Sequence, residues 1–124
     1  MLNHINSIEQ LEQEAKQIDD FLNTTCSEQP EEALQRGNDL STYLARTSKM
    51  LADAKYWQDE ALQNSIIQKL KENLDLSPMI FKKFLESSIK RENYLVNWLD
   101  RMNSTCVHQI DFLRTVISFA KSQR

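Results

Sequence analysis

The chain has 124 residues, 40% of them hydrophobic and 27% charged, with one glycine and two prolines. That length predicts one domain over residues 1–124. So little glycine excludes Rossmann units, P-loops and β-sandwiches, which need it at turns or beside phosphates.

The formal charge of −3 is unevenly placed. Residues 1–32 hold eight acidic side chains and one basic one, for −7, and the remainder carries +4. The division fits either solvated helix surfaces of mixed sign or an acidic first helix set against an anion-attracting remainder. It is not the strongly basic footprint of a duplex-DNA binder.

Cys26 and Cys106 form no CxxC or Cys/His cluster, and Met1-Leu2-Asn3-His4 opens without a basic or apolar leader. No apolar run approaches the roughly 18 residues of a membrane span. The expectation is a cytoplasmic protein with reduced cysteines. Cys106 is expected as a small core residue and Cys26 as a loop thiol.

Ile8, Leu11, Ala15, Ile18, Phe21 and Leu22 recur at three and four, predicting a first helix over about 6–22 capped by Asn6 or Ser7. Pro30, Glu31 and Glu32 suit the start of a second helix, expected over 30–74. Its stripe is Leu40, Tyr43, Leu44, Thr47, Met50, Leu51, Ala54, Trp57 and Ala61. Beyond Leu62 the apolar positions Ile66, Ile67, Leu70 and Leu74 turn to another side. Either the helix bends near Gln63-Asn64-Ser65, or one long helix serves two neighbours. The second reading is favoured, because no proline or glycine marks a break. Ser77-Pro78 restarts the chain in a short helix over 78–87. The last helix is expected over 89–121, with Leu95, Leu99, Met102, Cys106, Leu113, Val116, Ile117 and Ala120 inward. The fold class is therefore all-α: an antiparallel four-helix bundle with two long helices, expected as a homodimer.

There is no HExxH, GxSxG or Walker sequence, and two lone histidines do not make a zinc site. Cys106 and His108, two apart on a helix, diverge and make no nucleophile–base pair. The expectation is a non-enzymatic protein without metal or cofactor.

Two surfaces can bind something. On the second helix Thr42, Arg46, Lys49, Asp53 and Tyr56 share a face beside the core stripe. It offers two cations for phosphate, a carboxylate for ribose and a phenol for stacking, or else simply a salt-bridged surface. On the last helix Tyr94, Trp98, Arg101, Thr105, His108 and Phe112 follow one edge. Alternating aromatic and cationic groups can sandwich a base and neutralise a phosphate, or extend the core or a dimer seam. Gln109 and Thr47 fall within core stripes, with Asn103 and Arg114 at the border. Buried polar groups imply either a satisfied network or a hydrophilic cavity.

Two segments carry a resemblance. One runs Tyr43-Leu44-Ala45-Arg46-Thr47-Ser48-Lys49-Met50-Leu51-Ala52-Asp53-Ala54-Lys55-Tyr56. The other runs from Glu92-Asn93-Tyr94-Leu95-Val96-Asn97-Trp98 through Asn103-Ser104-Thr105-Cys106-Val107-His108-Gln109 to Leu113-Arg114-Thr115-Val116-Ile117-Ser118. Over about a third of the chain they resemble small all-helical phage and prophage proteins of gut-type bacteria. Members of that group often lie among recombination and single-strand-binding genes. Ser48 departs from the group, where glycine is usual. The resemblance implies a phage accessory protein that acts by binding in the cytoplasm of an infected host. The leading expectation is sequestration of a nucleotide-derived immune signal, a cyclic dinucleotide or an ADP-ribose derivative. Arg46, Lys49 and Arg101 are expected on phosphates and Tyr94 or Trp98 on a base. Asp53, Thr105, His108 or Gln109 are expected to hydrogen-bond base or ribose. The alternative is a protein-interaction or single-strand-DNA accessory module of phage recombination.

Overall fold

The computed structural model describes residues 4–25, 27, 29–65, 70 and 77–123. They are all-helical, with no strand among them. The elements are α1 (Ile8–Leu22), α2 (Pro30–Gln63), α3 (Pro78–Ser88) and α4 (Lys90–Ser122).

Ser7 starts α1 with a capping box. Its hydroxyl accepts from the Gln10 amide at 3.2 Å, and the Gln10 side chain accepts from the Ser7 amide at 2.9 Å. Pro30 sits in the first turn of α2, followed by Glu31 and Glu32 at the positive dipole end. Ser77 caps α3 through the Ile80 amide, one residue before Pro78.

The expected second helix over 30–74 needs correction, because α2 stops at Gln63. Asn64 is its C-cap, with the amide N–H donating to the Glu60 carbonyl at 2.9 Å and the side-chain amide to the Glu60 carboxylate. A short polar side chain that bonds back onto the last turn ends a helix without glycine or proline. Ile66, Ile67 and Leu74 lie outside the described residues, and Leu70 is exposed.

Packing is dominated by α2 against α4, with α1 lying on both. Gln58 bonds Asn93, Asn103 bonds Thr47, and Arg36 bonds Gln109. Positions descend along α2 as they rise along α4, so the two long helices are antiparallel. The α1 end at Leu22 lies by Gln109, while Asn6, just ahead of α1, lies by Asp53 and Trp57. Helix α1 therefore runs antiparallel to α2 and parallel to α4.

The core joins Leu11, Ala15, Ile18 and Leu22 to Ala33, Leu40, Met50 and Ala54, and to Leu95, Leu99, Met102, Cys106 and Leu113. Helix α3 contributes no buried residue, and Met79, Ile80 and Phe84 stand exposed on it. The bundle is thus built on three packed helices, with α3 touching α4 at the margin. No described helix is long and apolar enough to cross a membrane.

Cys106 is fully buried, and burial pushes its thiol pKa up, with the Arg36 charge acting in the opposite sense. With Cys26 replaced by serine, Cys106 is expected to resist thiol-labelling reagents in the native state at pH 8. It should react at once in denaturant. Fast native labelling would show that the core opens locally there. Cys26 itself lies outside the described residues.

Candidate functional site

The two faces read from the sequence meet different fates. On α2, Arg46 forms a two-point ion pair with Glu14 of α1, from Nε at 2.8 Å and from the terminal nitrogen at 2.6 Å. That hydrogen bond raises the Arg46 pKa further, against partial desolvation. Lys49 binds the Asp53 carboxylate at 2.5 Å and the His4 carbonyl at 2.7 Å. Asp53 is buried and also accepts the Asn6 amide at 3.1 Å, while Trp57 donates its indole N–H to the Asn6 carbonyl at 2.7 Å. Asn6 is thus held at both backbone groups. Tyr56 is half-buried, edge-on to Trp57, and the exposed Thr42 hydroxyl donates to the Asn38 carbonyl.

This face is a clasp that fastens α1 and the segment before it onto α2. Wheel geometry alone places these residues beside the stripe. It does not say that an acidic helix will lie over them.

On α4 the neighbours are different. Arg91, at its start, pairs with Glu12 and lies near Glu9 of α1. The hydrogen bond from Arg91 lowers the Glu12 pKa and raises that of Arg91, with a smaller opposing effect of burial. Farther along, Tyr94 is 69% exposed and its ring lies 6.1 Å from that of the half-buried Trp98. Arg101 and His108 are exposed, and neither makes an ion pair or side-chain hydrogen bond among the described residues. Asn97, Asp100, Arg101, Ser104, Thr105 and His108 line a shallow polar depression contributed wholly by α4. The Thr105 hydroxyl donates to the Arg101 carbonyl at 2.9 Å.

The structure therefore brings Tyr94, Trp98, Arg101, Thr105 and His108 onto one surface, and Arg46, Lys49, Asp53 and Tyr56 onto another. Helix α1 runs between them, held by Glu14 on the α2 side and by Glu12 on the α4 side. They do not form one composite pocket.

The polar residues within the core stripes have partners. Asn103 donates to the Thr47 hydroxyl at 3.0 Å and the Ser48 hydroxyl at 2.9 Å, and Thr47 donates to the Leu44 carbonyl. Arg114 is exposed, 3.7 Å from Asp111. Gln109 is held from two sides, with its Nε2 donating to the Leu22 carbonyl at 3.0 Å and its Oε1 accepting from Arg36 at 2.9 Å.

Arg36 is the residue that the sequence reading passes over. It is only 9% exposed, with its guanidinium carbon 4.0 Å above the centre of the Phe21 ring. No carboxylate lies at ion-pair distance among the described residues, and its Nε is buried without a hydrogen-bond partner. A buried donor left unmet costs about 1–3 kcal/mol, and a buried unpaired charge more. The available signal was positional. Continuing the α2 stripe back from Leu40 by four and then three gives Arg36 and Ala33.

Among the described residues no group of three or more His, Cys, Asp and Glu side chains is placed to hold a metal ion. Comparison of the chain with family models, with curated proteins and with solved structures returned no match.

Proposed function

We propose that this chain is a non-enzymatic binding protein whose working surface is the outer face of α4. One observation supports this above the others. Exposed Tyr94, Arg101, His108 and Phe112 succeed one another along that face, and neither Arg101 nor His108 has an ion pair or side-chain hydrogen bond among the described residues, whereas Arg46 and Lys49 of α2 are engaged with α1 and the chain before it. Such a surface suits a nucleotide-derived anion. Arg101 takes phosphate, Tyr94 or Trp98 stacks the base, and Asp100, Thr105 and His108 meet ribose or base polar groups. Within the phage-accessory setting that the two familiar segments imply, the ligand is a cyclic dinucleotide or ADP-ribose-type signal, and the action is sequestration. A thermal-shift panel of those nucleotides tests this. A true ligand at 100 times its Kd is expected to add about 2.7 kcal/mol, and flat melting curves across the panel would sink the reading.

A second reading rests on the spacing of the same face. Tyr94, Trp98, Arg101, Thr105, His108, Phe112, Thr115 and Phe119 alternate by four and three, and Phe112 and Phe119 are 55% and 65% exposed. This is the period of a helix–helix seam, which suits a second copy of the chain or a partner helix. Sedimentation at micromolar concentration decides for or against the homodimer. Salt-dependent oligonucleotide anisotropy covers the single-strand-DNA variant, because backbone contacts must weaken steeply as salt rises.

A further inference from the structure

We propose that Arg36 anchors a second, separate site, for a small organic carboxylate. A cavity of about 140 Å³ opens against this side chain, lined by Thr24, Arg36, Gln109, Phe112 and Leu113. Three observations converge on it. The cation is nine-tenths buried and faces no carboxylate at ion-pair distance among the described residues. Its Nε–H is buried without a partner among the described residues, although one terminal nitrogen is satisfied by Gln109. Glu32 and Asp39 share the neighbouring surface depression with Arg36, yet neither pairs with it.

The guanidinium is also held in place. Phe21 supports one face, and Gln109, itself fixed by the Leu22 carbonyl, orients one edge. What is left over is a positive charge that lines the cavity without a carboxylate of its own among the described residues, which suits an acceptor that carries negative charge.

The walls define the rest of the ligand. Phe112 and Leu113 make the lining mostly apolar, and Phe112 continues into a surface groove with Val116, Phe119 and Pro30. Phosphate would bring two charges and up to four hydrated oxygens against those walls, with one cation to meet them. A carboxylate on a short aliphatic body gives its oxygens to Arg36 and its carbons to Phe112 and Leu113. The volume accommodates a chain of about four to six carbons.

The test titrates butyrate, pentanoate and hexanoate into the full chain, with butyramide and inorganic phosphate as comparison probes. Melting temperature and the ¹⁵N–¹H signal of the Arg36 Nε are the readouts. The three acids are expected to raise the melting temperature and move the Nε signal. Affinity should grow about fourfold per methylene, the worth of a buried CH₂. Butyramide and phosphate should move neither readout. Arg36→Met is expected to abolish the response, and Arg101→Ala to leave it intact, which separates this site from the α4 face. A still Nε signal with all three acids overturns the proposal, as does an equal response to butyramide or phosphate. Retention of the response in Arg36→Met overturns it as well. Should that variant fail to fold, the Nε signal of the unaltered chain decides.

Discussion

Replacing Lys49 by methionine is expected to destabilise the fold by about 2–4 kcal/mol, somewhat less than the roughly 3–5 kcal/mol that breaking a fully buried ion pair costs. The asymmetry of the pair sets that size. The Asp53 side chain is 4% exposed and the Lys49 side chain 44%. Removing the cation strands a buried anion with the Asn6 amide as its one remaining donor among the described residues. The His4 carbonyl loses its ammonium contact in the same step. For a domain of this size the melting temperature should fall by roughly 8–16 °C. Arg46→Met removes a better-hydrated pair, with side chains 40% and 29% exposed, and should cost under about 1 kcal/mol. The double replacement Lys49→Met/Asp53→Leu should recover most of the loss, because no charge is then left buried. Urea denaturation of the variants measures all of this. Were Lys49 a ligand grip rather than part of a clasp, its loss would leave stability within about 0.5 kcal/mol.

The clasp shows where a sequence stops being legible. Apolar residues at three and four announced α1 and the inward stripe of α4, since periodicity is local. Thr47 and Gln109 were visible as polar residues within apolar stripes. Their partners, Asn103 and the Leu22 carbonyl, were not, because the partners are 56 and 87 positions away. Asp53 looked like a surface carboxylate because the helical wheel sets it at the margin of the stripe. What covers that margin is the chain ahead of α1, a tertiary fact. Arg36 was missed for the opposite reason. Its position on the α2 stripe was legible, but arginine so seldom enters a core that the stripe seemed to begin at Leu40. The end of α2 turned on Asn64, which bonds back to Glu60, a local competition that apolar periodicity does not register.

Arg101→Ala is the variant that separates a binding surface from a bare helix face. Arg101 is exposed and makes no ion pair among the described residues, so its removal should leave stability within about 0.5 kcal/mol. If it grips a phosphate beside Trp98, nucleotide affinity should fall by about 2–3 kcal/mol, the scale of a lost charge-assisted hydrogen bond. That is roughly 30- to 150-fold in Kd, readable by calorimetry or by quenching of tryptophan fluorescence. If the face is instead a seam between helices, the guanidinium occupies a seam position and opposes association by its desolvation. Arg101→Leu should then tighten self-association in sedimentation, while nucleotides have no effect on either variant. Unchanged nucleotide affinity in Arg101→Ala would remove the phosphate role. Unchanged association in Arg101→Leu would remove the seam. The two variants act on the same position with opposite expected signs, so the occupant of this face follows from which one responds.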